Sequence, residues 1–135
     1  MNMKLRMVFL GALCCALIVP VWAQNGCSGG YQECLQLAKQ GDADAQFDLG
    51  VMYNEGSKVP RNHAQAARWF RKAAEQGHAD AQAGLGWLYG MGRGVPQDYV
   101  EAYKWFSLGA AQGNESARSG IALMKHVLSL KRRSE

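Results

Sequence analysis

Few residues in this chain have the type and spacing to do chemistry. The stretch Gly26-Cys27-Ser28-Gly29-Gly30 contains the pattern Gly-x-Ser-x-Gly. In a nucleophile elbow that pattern needs a strand before the serine and a helix after it, so that the hydroxyl stands exposed on a sharp turn. No strand alternation precedes Ser28, and a glycine-rich lead-in accounts for these residues without catalysis. His63, His78 and His126 lack metal-ligand spacing, and neither His-Glu-x-x-His, Cys-x-x-Cys nor Ser-x-x-Lys occurs. His63 and His78 fall near expected helix starts, where a capping role suffices. A phosphate loop is absent. The expectation is a protein that is not an enzyme and takes no cofactor and no metal. Cys27 and Cys34 remain, and their chemistry depends on the compartment.

The compartment is written in the first residues. Met1 to Arg6 is short and basic, Met7 to Pro20 is apolar and free of charge, and Val21-Trp22-Ala23 ends on a small residue. This is the pattern of a secretory signal peptide over residues 1–23, cleaved after Ala23. The alternative, a membrane anchor, needs roughly 20 apolar residues, and this run has about 14. No cysteine follows the Leu-small-small triplet of a lipoprotein. The expected location is the bacterial periplasm or the exterior, with no stable membrane insertion after cleavage. Losing Lys4 and Arg6 takes the net charge from +4 to +2, so no nucleic-acid partner is expected. Cleavage also removes Cys14 and Cys15. Cys27 and Cys34 then stand alone in an oxidising compartment, where a disulfide would close a short loop and contribute about 2 to 3 kcal/mol. Two free thiols are the other outcome.

The elements that position everything else come from an internal repeat. Residues 45–80 and 81–116 align without a gap and share Ala45/Ala81, Gln46/Gln82, Leu49/Leu85, Gly50/Gly86, Tyr53/Tyr89, Gly56/Gly92 and Val59/Val95. The identities continue through Pro60/Pro96, Ala66/Ala102, Trp69/Trp105, Phe70/Phe106, Ala74/Ala110, Gln76/Gln112 and Gly77/Gly113. A period of 36 residues signals stacked units that bury a shared core. Ala38, Gln40, Gly41 and Ala43 repeat the end of a unit, so residues 31–40 read as a lone second helix. Ala117, Gly120 and Ile121 restart a first helix.

Within a unit, Ala45, Leu49, Met52 and Tyr53 share one face at helical spacing. Asn62 with Gln65 and Asp98 with Glu101 suggest capping boxes for the second helices. Gly41, Gly77 and Gly113 stand where a left-handed stop belongs. Asp42 and Asn114 suit the next N-cap, and His78 suits it less well. The class is all-α. The expected division is 24–41 as an N-terminal segment and capping helix, 42–77 and 78–113 as two repeats, and 114–135 as a C-terminal capping helix.

The combination Ala-x-x-x-Leu-Gly-x-x-Tyr, Gly-x-Gly-Val, Asp-x-x-x-Ala-x-x-Trp-Phe and Ala-x-x-Gly resembles the Sel-1-like repeat (SLR), a relative of the tetratricopeptide repeat. The second unit carries it in Ala81, Leu85, Gly86, Tyr89, Gly92, Gly94, Val95, Asp98, Ala102, Trp105, Phe106, Ala110 and Gly113. The first unit departs at Lys58, where the second loop glycine is expected, and at Asn62 in place of Asp. The resemblance implies a right-handed α/α superhelical solenoid whose first helices line a concave groove. It also implies a scaffold or adaptor that binds a protein or peptide. Exported relatives include immunity proteins, and a cysteine-rich branch is linked to β-lactam binding or hydrolysis. This chain has no cysteine within its repeats, unlike that branch.

Positions shared by both units have a structural explanation, so specificity should lie where the units differ. Off the core stripe lie Asp44, Phe47, Val51 and Asn54 in unit one, Asp80 and Trp87 in unit two and Leu123 in the terminal half-unit; Asp44 and Asp80 match, and the other three pairs of the full units differ. Trp87 beside Val51 and Leu123 would be an aromatic anchor in an apolar row, or it packs on neighbouring first helices and covers the core. Trp69, Trp105, Phe70 and Phe106 repeat in register and are expected in the core. The last helix runs on past residue 125 without a breaker, giving Leu123, Val127 and Leu130 a second apolar row. That row packs on unit two or meets a partner, self-association with another copy included.

Overall fold

The computed structural model describes Cys27 and residues 30–135, and the expected signal peptide lies outside the described residues. Six helices and no strand are found among the described residues. They are α1 (Tyr31–Lys39), α2 (Ala43–Glu55), α3 (His63–Glu75), α4 (Ala79–Met91), α5 (Tyr99–Ala111) and α6 (Glu115–Ser134). The pairs α2–α3 and α4–α5 are the two hairpins of the repeat; α1 packs on α2, and α6 packs on α5 and α4. First helices α2 and α4 also touch. The chain is thus an all-α solenoid of two units between two half-units.

Local chemistry sets the boundaries. Asp42 Oδ1 accepts from the Ala45 N–H at 2.8 Å and Asn114 Oδ1 from the Ala117 N–H at 2.9 Å. Each bond satisfies an amide the first turn would leave orphaned. His78, the poorest cap by residue type, does the same work: its Nδ1 accepts from the Ala81 N–H at 3.2 Å. That bond needs an unprotonated Nδ1, and Nε2 lies 3.2 Å from Asp44 Oδ1, where its hydrogen is donated. Behind each cap, Gly41, Gly77 and Gly113 have φ of 98°, 89° and 90°. The Asp42, His78 and Asn114 amides reach back to the Leu37, Ala73 and Gly109 carbonyls at 3.1–3.2 Å, closing Schellman stops.

The second helices differ from expectation in one respect. Asn62 Oδ1 accepts from the Gln65 amide and Asp98 Oδ1 from the Val100 and Glu101 amides. The reciprocal arm of a capping box is replaced, because the Asn62 and Asp98 amides donate to the Tyr53 and Tyr89 carbonyls at 2.8 and 3.0 Å. The start of each second helix is therefore tied to the end of the first. Lys58 has φ of 63°, close to the 70° of Gly94, so both repeat loops take the same left-handed turn despite the different residue.

Three apolar clusters stack along the chain, each containing one residue of the register Cys34, Phe70, Phe106. Close approach is enforced by small residues. A Cβ on Gly50 would stand 2.4 Å from the Phe70 ring, and one on Gly86 or Gly120 would stand 2.7 or 2.5 Å from Phe106. Trp105 is buried as expected, but Trp69 is only half-buried, with the Lys72 ammonium 4.8 Å over its ring. It packs on the Cys34 cluster at the N-terminal half-unit. The last helix packs on unit two through Met124, with Ile121, Val127 and Leu128 half-buried.

Candidate binding face and the sealed N-terminal end

The face carried by the first helices rests on a glutamine ladder. Gln46 Nε2 donates to the Ala38 carbonyl at 3.0 Å, and Gln76 Nε2 donates to Gln46 Oε1 at 2.7 Å. One unit later, Gln82 donates to the Ala74 carbonyl at 3.1 Å, and Gln112 donates to Gln82 Oε1 at 2.9 Å. Gln46 and Gln82 are buried, so each amide must be satisfied, and the ladder fixes the spacing of successive units. These four glutamines were visible as shared positions. Their role as inter-unit bridges was not, because it depends on which helices meet.

A second ladder runs along the edge. His78 bonds Asp44, and Asn114 Nδ2 bonds Asp80, so each helix cap also grips the helix one unit earlier. Asp44 and Asp80 are exposed but already engaged. Asn54 is half-buried, with its Oδ1 3.0 Å from His63 Nδ1. Phe47 is half-buried between the His78 ring, stacked at 4.7 Å, and the Phe70 ring at 5.7 Å. Val51 is half-buried against the central cluster.

Trp87 divides its surface between two roles. Its ring packs edge-on to Phe106 at 5.1 Å, and its Nε1 donates to Ser116 Oγ at 3.0 Å. It is half-buried rather than enclosed. Leu123, the next residue in the same register, is 43% exposed. In the row Val51, Trp87, Leu123 the first two are half-buried and the last is exposed. Elsewhere toward the C-terminal end, Val100 on α5 and Leu130 on α6 are 68% and 50% exposed.

The opposite end is closed by a disulfide between Cys27 and Cys34, whose Cα atoms are 5.1 Å apart. The 36-residue register explains its placement. Cys34 occupies the position of Phe70 and Phe106, and Asp48 occupies that of Gly84 and Gly120. In the interior, Phe70 lies against Gly84 and Phe106 against Gly120. At the N-terminal end the pair becomes a fully buried half-cystine facing a carboxylate, and Asp48 Oδ2 accepts from the Cys27 N–H at 2.9 Å. Extending the repeat alignment backwards by one unit would have located this exchange in the sequence. Nearby, the Tyr31 and Tyr53 hydroxyls are 2.8 Å apart, and that hydrogen bond, with burial, pushes the Tyr53 hydroxyl above its ordinary value.

Comparison with known proteins places these features in a family. The Sel1 repeat matches residues 43–78 and 79–114. No curated protein matches the sequence. A Sel1 repeat protein from Oxalobacter formigenes is 41% identical, with 68% of this chain and 38% of that one covered at a TM-score of 0.65. A protective antigen of uropathogenic Escherichia coli strains that displays an SLR fold is 43% identical, covering 62% of this chain and 18% of that one at a TM-score of 0.61. Cysteine rich protein B of Helicobacter pylori is 25% identical over 65% of this chain and 66% of that one, at a TM-score of 0.62. The chain thus spans well under half the length of the first two. Proteins built from this repeat generally serve as scaffolds for protein–protein interaction rather than as catalysts. With two matched units carrying the glycine, phenylalanine and glutamine positions that space the helices, this chain belongs to the Sel1 repeat family.

Proposed function

We propose that this chain is an exported docking module that holds a protein or peptide partner on the face formed by α2, α4 and α6. The residues in contact are Asp44, Phe47, Val51, Asn54, Asp80, Trp87 and Leu123, with the last two as apolar anchors. The observation that carries the reading is the row Val51, Trp87, Leu123. It sits where the units differ, it is apolar and half-buried at Val51 and Trp87, and it ends on Leu123, which is 43% exposed. A half-buried Trp held by a hydrogen bond to Ser116 is a preordered anchor that loses little rotamer freedom on binding. Export is supported by the signal-peptide pattern of residues 1–23 and by the disulfide. An immunity or inhibitor protein is the special case in which the partner is a toxin.

Leu123→Glu tests the face with little cost to the fold, since the side chain is already largely in solvent. Crosslinking in the native cell envelope should recover a defined partner with the natural chain and lose it with Leu123→Glu, while the melting temperature changes little. Equal recovery with both would end the reading. The exposed Val100, Leu108 and Leu130 favour a second contact, self-association through the C-terminal end. Analytical ultracentrifugation that finds a single monomeric species across the accessible concentration range would exclude it.

A further inference from the structure

The N-terminal closure contains more chemistry than closure requires. The two sulfurs of the Cys27–Cys34 disulfide and a carboxylate oxygen of Asp48 all lie within 4.8 Å of one another. Asp48 Oδ2 lies 3.3 Å from Cys27 Sγ. The carboxylate is half-buried, pairs with no cation among the described residues, and takes its single hydrogen bond from the Cys27 amide. In both interior interfaces the same position is glycine and the slot is filled by a phenylalanine ring. Packing alone therefore gives no reason for a negative charge there.

We propose that the reduced form of this site binds a zinc ion through Cys27 Sγ, Cys34 Sγ and Asp48, with water completing a tetrahedron. A dithiol reductant breaks the S–S bond by two successive exchanges. It supplies two electrons and two protons and closes its own disulfide, leaving two thiols on the protein. Zinc binding then releases both thiol protons to solvent, because the thiolate is the ligand. Two thiolates and a carboxylate match the ligand types zinc selects. Cys27 and Asp48 are half-buried, so the fourth position is open to water. The ion would hold the segment before α1 against α2 as the disulfide does, making the closure independent of the redox state of the compartment.

The test uses the reduced full-length mature chain, zinc chloride and a colorimetric chelator as competitor, with the disulfide form as control. The reduced protein should take one zinc per chain at an affinity at least tenfold above that of the oxidised protein, releasing two protons per zinc. Cobalt should give thiolate charge-transfer absorption that Cys34→Ser abolishes. Asp48→Asn should weaken zinc at least tenfold while keeping that absorption. If reduction loosens the N-terminal end, zinc should restore the melting temperature toward that of the disulfide form, and failure to do so counts against the site. Equal zinc uptake by the oxidised chain, no uptake by the reduced chain, or unchanged affinity in Asp48→Asn would each overturn the proposal.

Discussion

The N-terminal interface and the interior interfaces solve one packing problem with different residues. Inside, a phenylalanine from a second helix fills the gap beside a first-helix glycine, as Phe106 does beside Gly120. At the N-terminal end, α1 begins at Tyr31, four positions later than the register of α3 and α5 would place it. A ring at position 34 would lack the turn that covers it. A half-cystine is smaller, and its partner Cys27 supplies in covalent form the contact that the missing turn would have made. The contrast teaches that the repeat tolerates loss of its hydrophobic lock where a crosslink restores the constraint on α1. If that view is right, the two kinds of interface should fail differently.

The largest effect should come from the interior. Phe106→Ala removes a fully buried ring between two glycine-bearing helices, and the cavity should cost about 3 to 5 kcal/mol in urea denaturation. A cost below about 1 kcal/mol would show that the units collapse freely, and the lock would lose its meaning. Next in size, Cys27→Ser with Cys34→Ala should cost about 2 to 3 kcal/mol, chiefly from the unfolded state. Adding the interior solution, Cys34→Phe with Asp48→Gly and Cys27→Ser, should regain part of that loss. If it regains nothing, the two interfaces are not equivalents.

Much of this fold was legible in the sequence because one signal, the 36-residue register, was repeated at every position that matters for spacing. Gly77, Pro96 and Phe106 could be assigned from their counterparts. What stayed hidden was interaction between units. The Gln46–Gln76 bridge joins residues 30 apart in sequence, and periodicity within a helix says nothing of it. His78 looked a poor cap because its usefulness depends on a tautomer fixed by Asp44, across the unit boundary. Trp69 looked like core because its twin Trp105 is core, yet it packs on the cluster of the N-terminal half-unit and is half-buried. The candidate face was legible as a row of differing residues, but not how far Phe47 and Trp87 would also serve the core.

The two repeat loops extend the comparison at smaller cost. A Cβ on Gly94 would stand 2.2 Å from the His63 carbonyl carbon and oxygen, so Gly94→Ala must push the loop off α3 as well as adopt a left-handed backbone. We expect a loss of at least about 2 kcal/mol. Lys58 has a similar left-handed backbone and its side chain is exposed, so a side chain is accommodated. Lys58→Gly should change stability by less than about 1 kcal/mol, in the stabilising direction, since relief of the left-handed strain is partly offset by the freedom of glycine in the unfolded chain. A loss on Lys58→Gly as large as that on Gly94→Ala would mean that the loops are not distinguished by what lies beneath them.

The smallest effect lies in the tyrosines. Tyr53 bonds Tyr31 at the N-terminal end, whereas its counterpart Tyr89 bonds the Arg71 side chain. The Tyr53 hydroxyl is held above its ordinary value of about 10 by the Tyr31 hydrogen bond first and burial second. Its folded value exceeds its unfolded one, so the unfolded chain loses the proton first. The stabilisation is complete below about pH 10 and disappears as pH rises through the folded value. Urea midpoints between pH 8 and 11 should therefore hold to about pH 10 and fall above it, and Tyr31→Phe should flatten that fall by removing its main cause. Parallel slopes for the two proteins would place the effect elsewhere, and the hydroxyl pair would be no part of what holds α1 to α2.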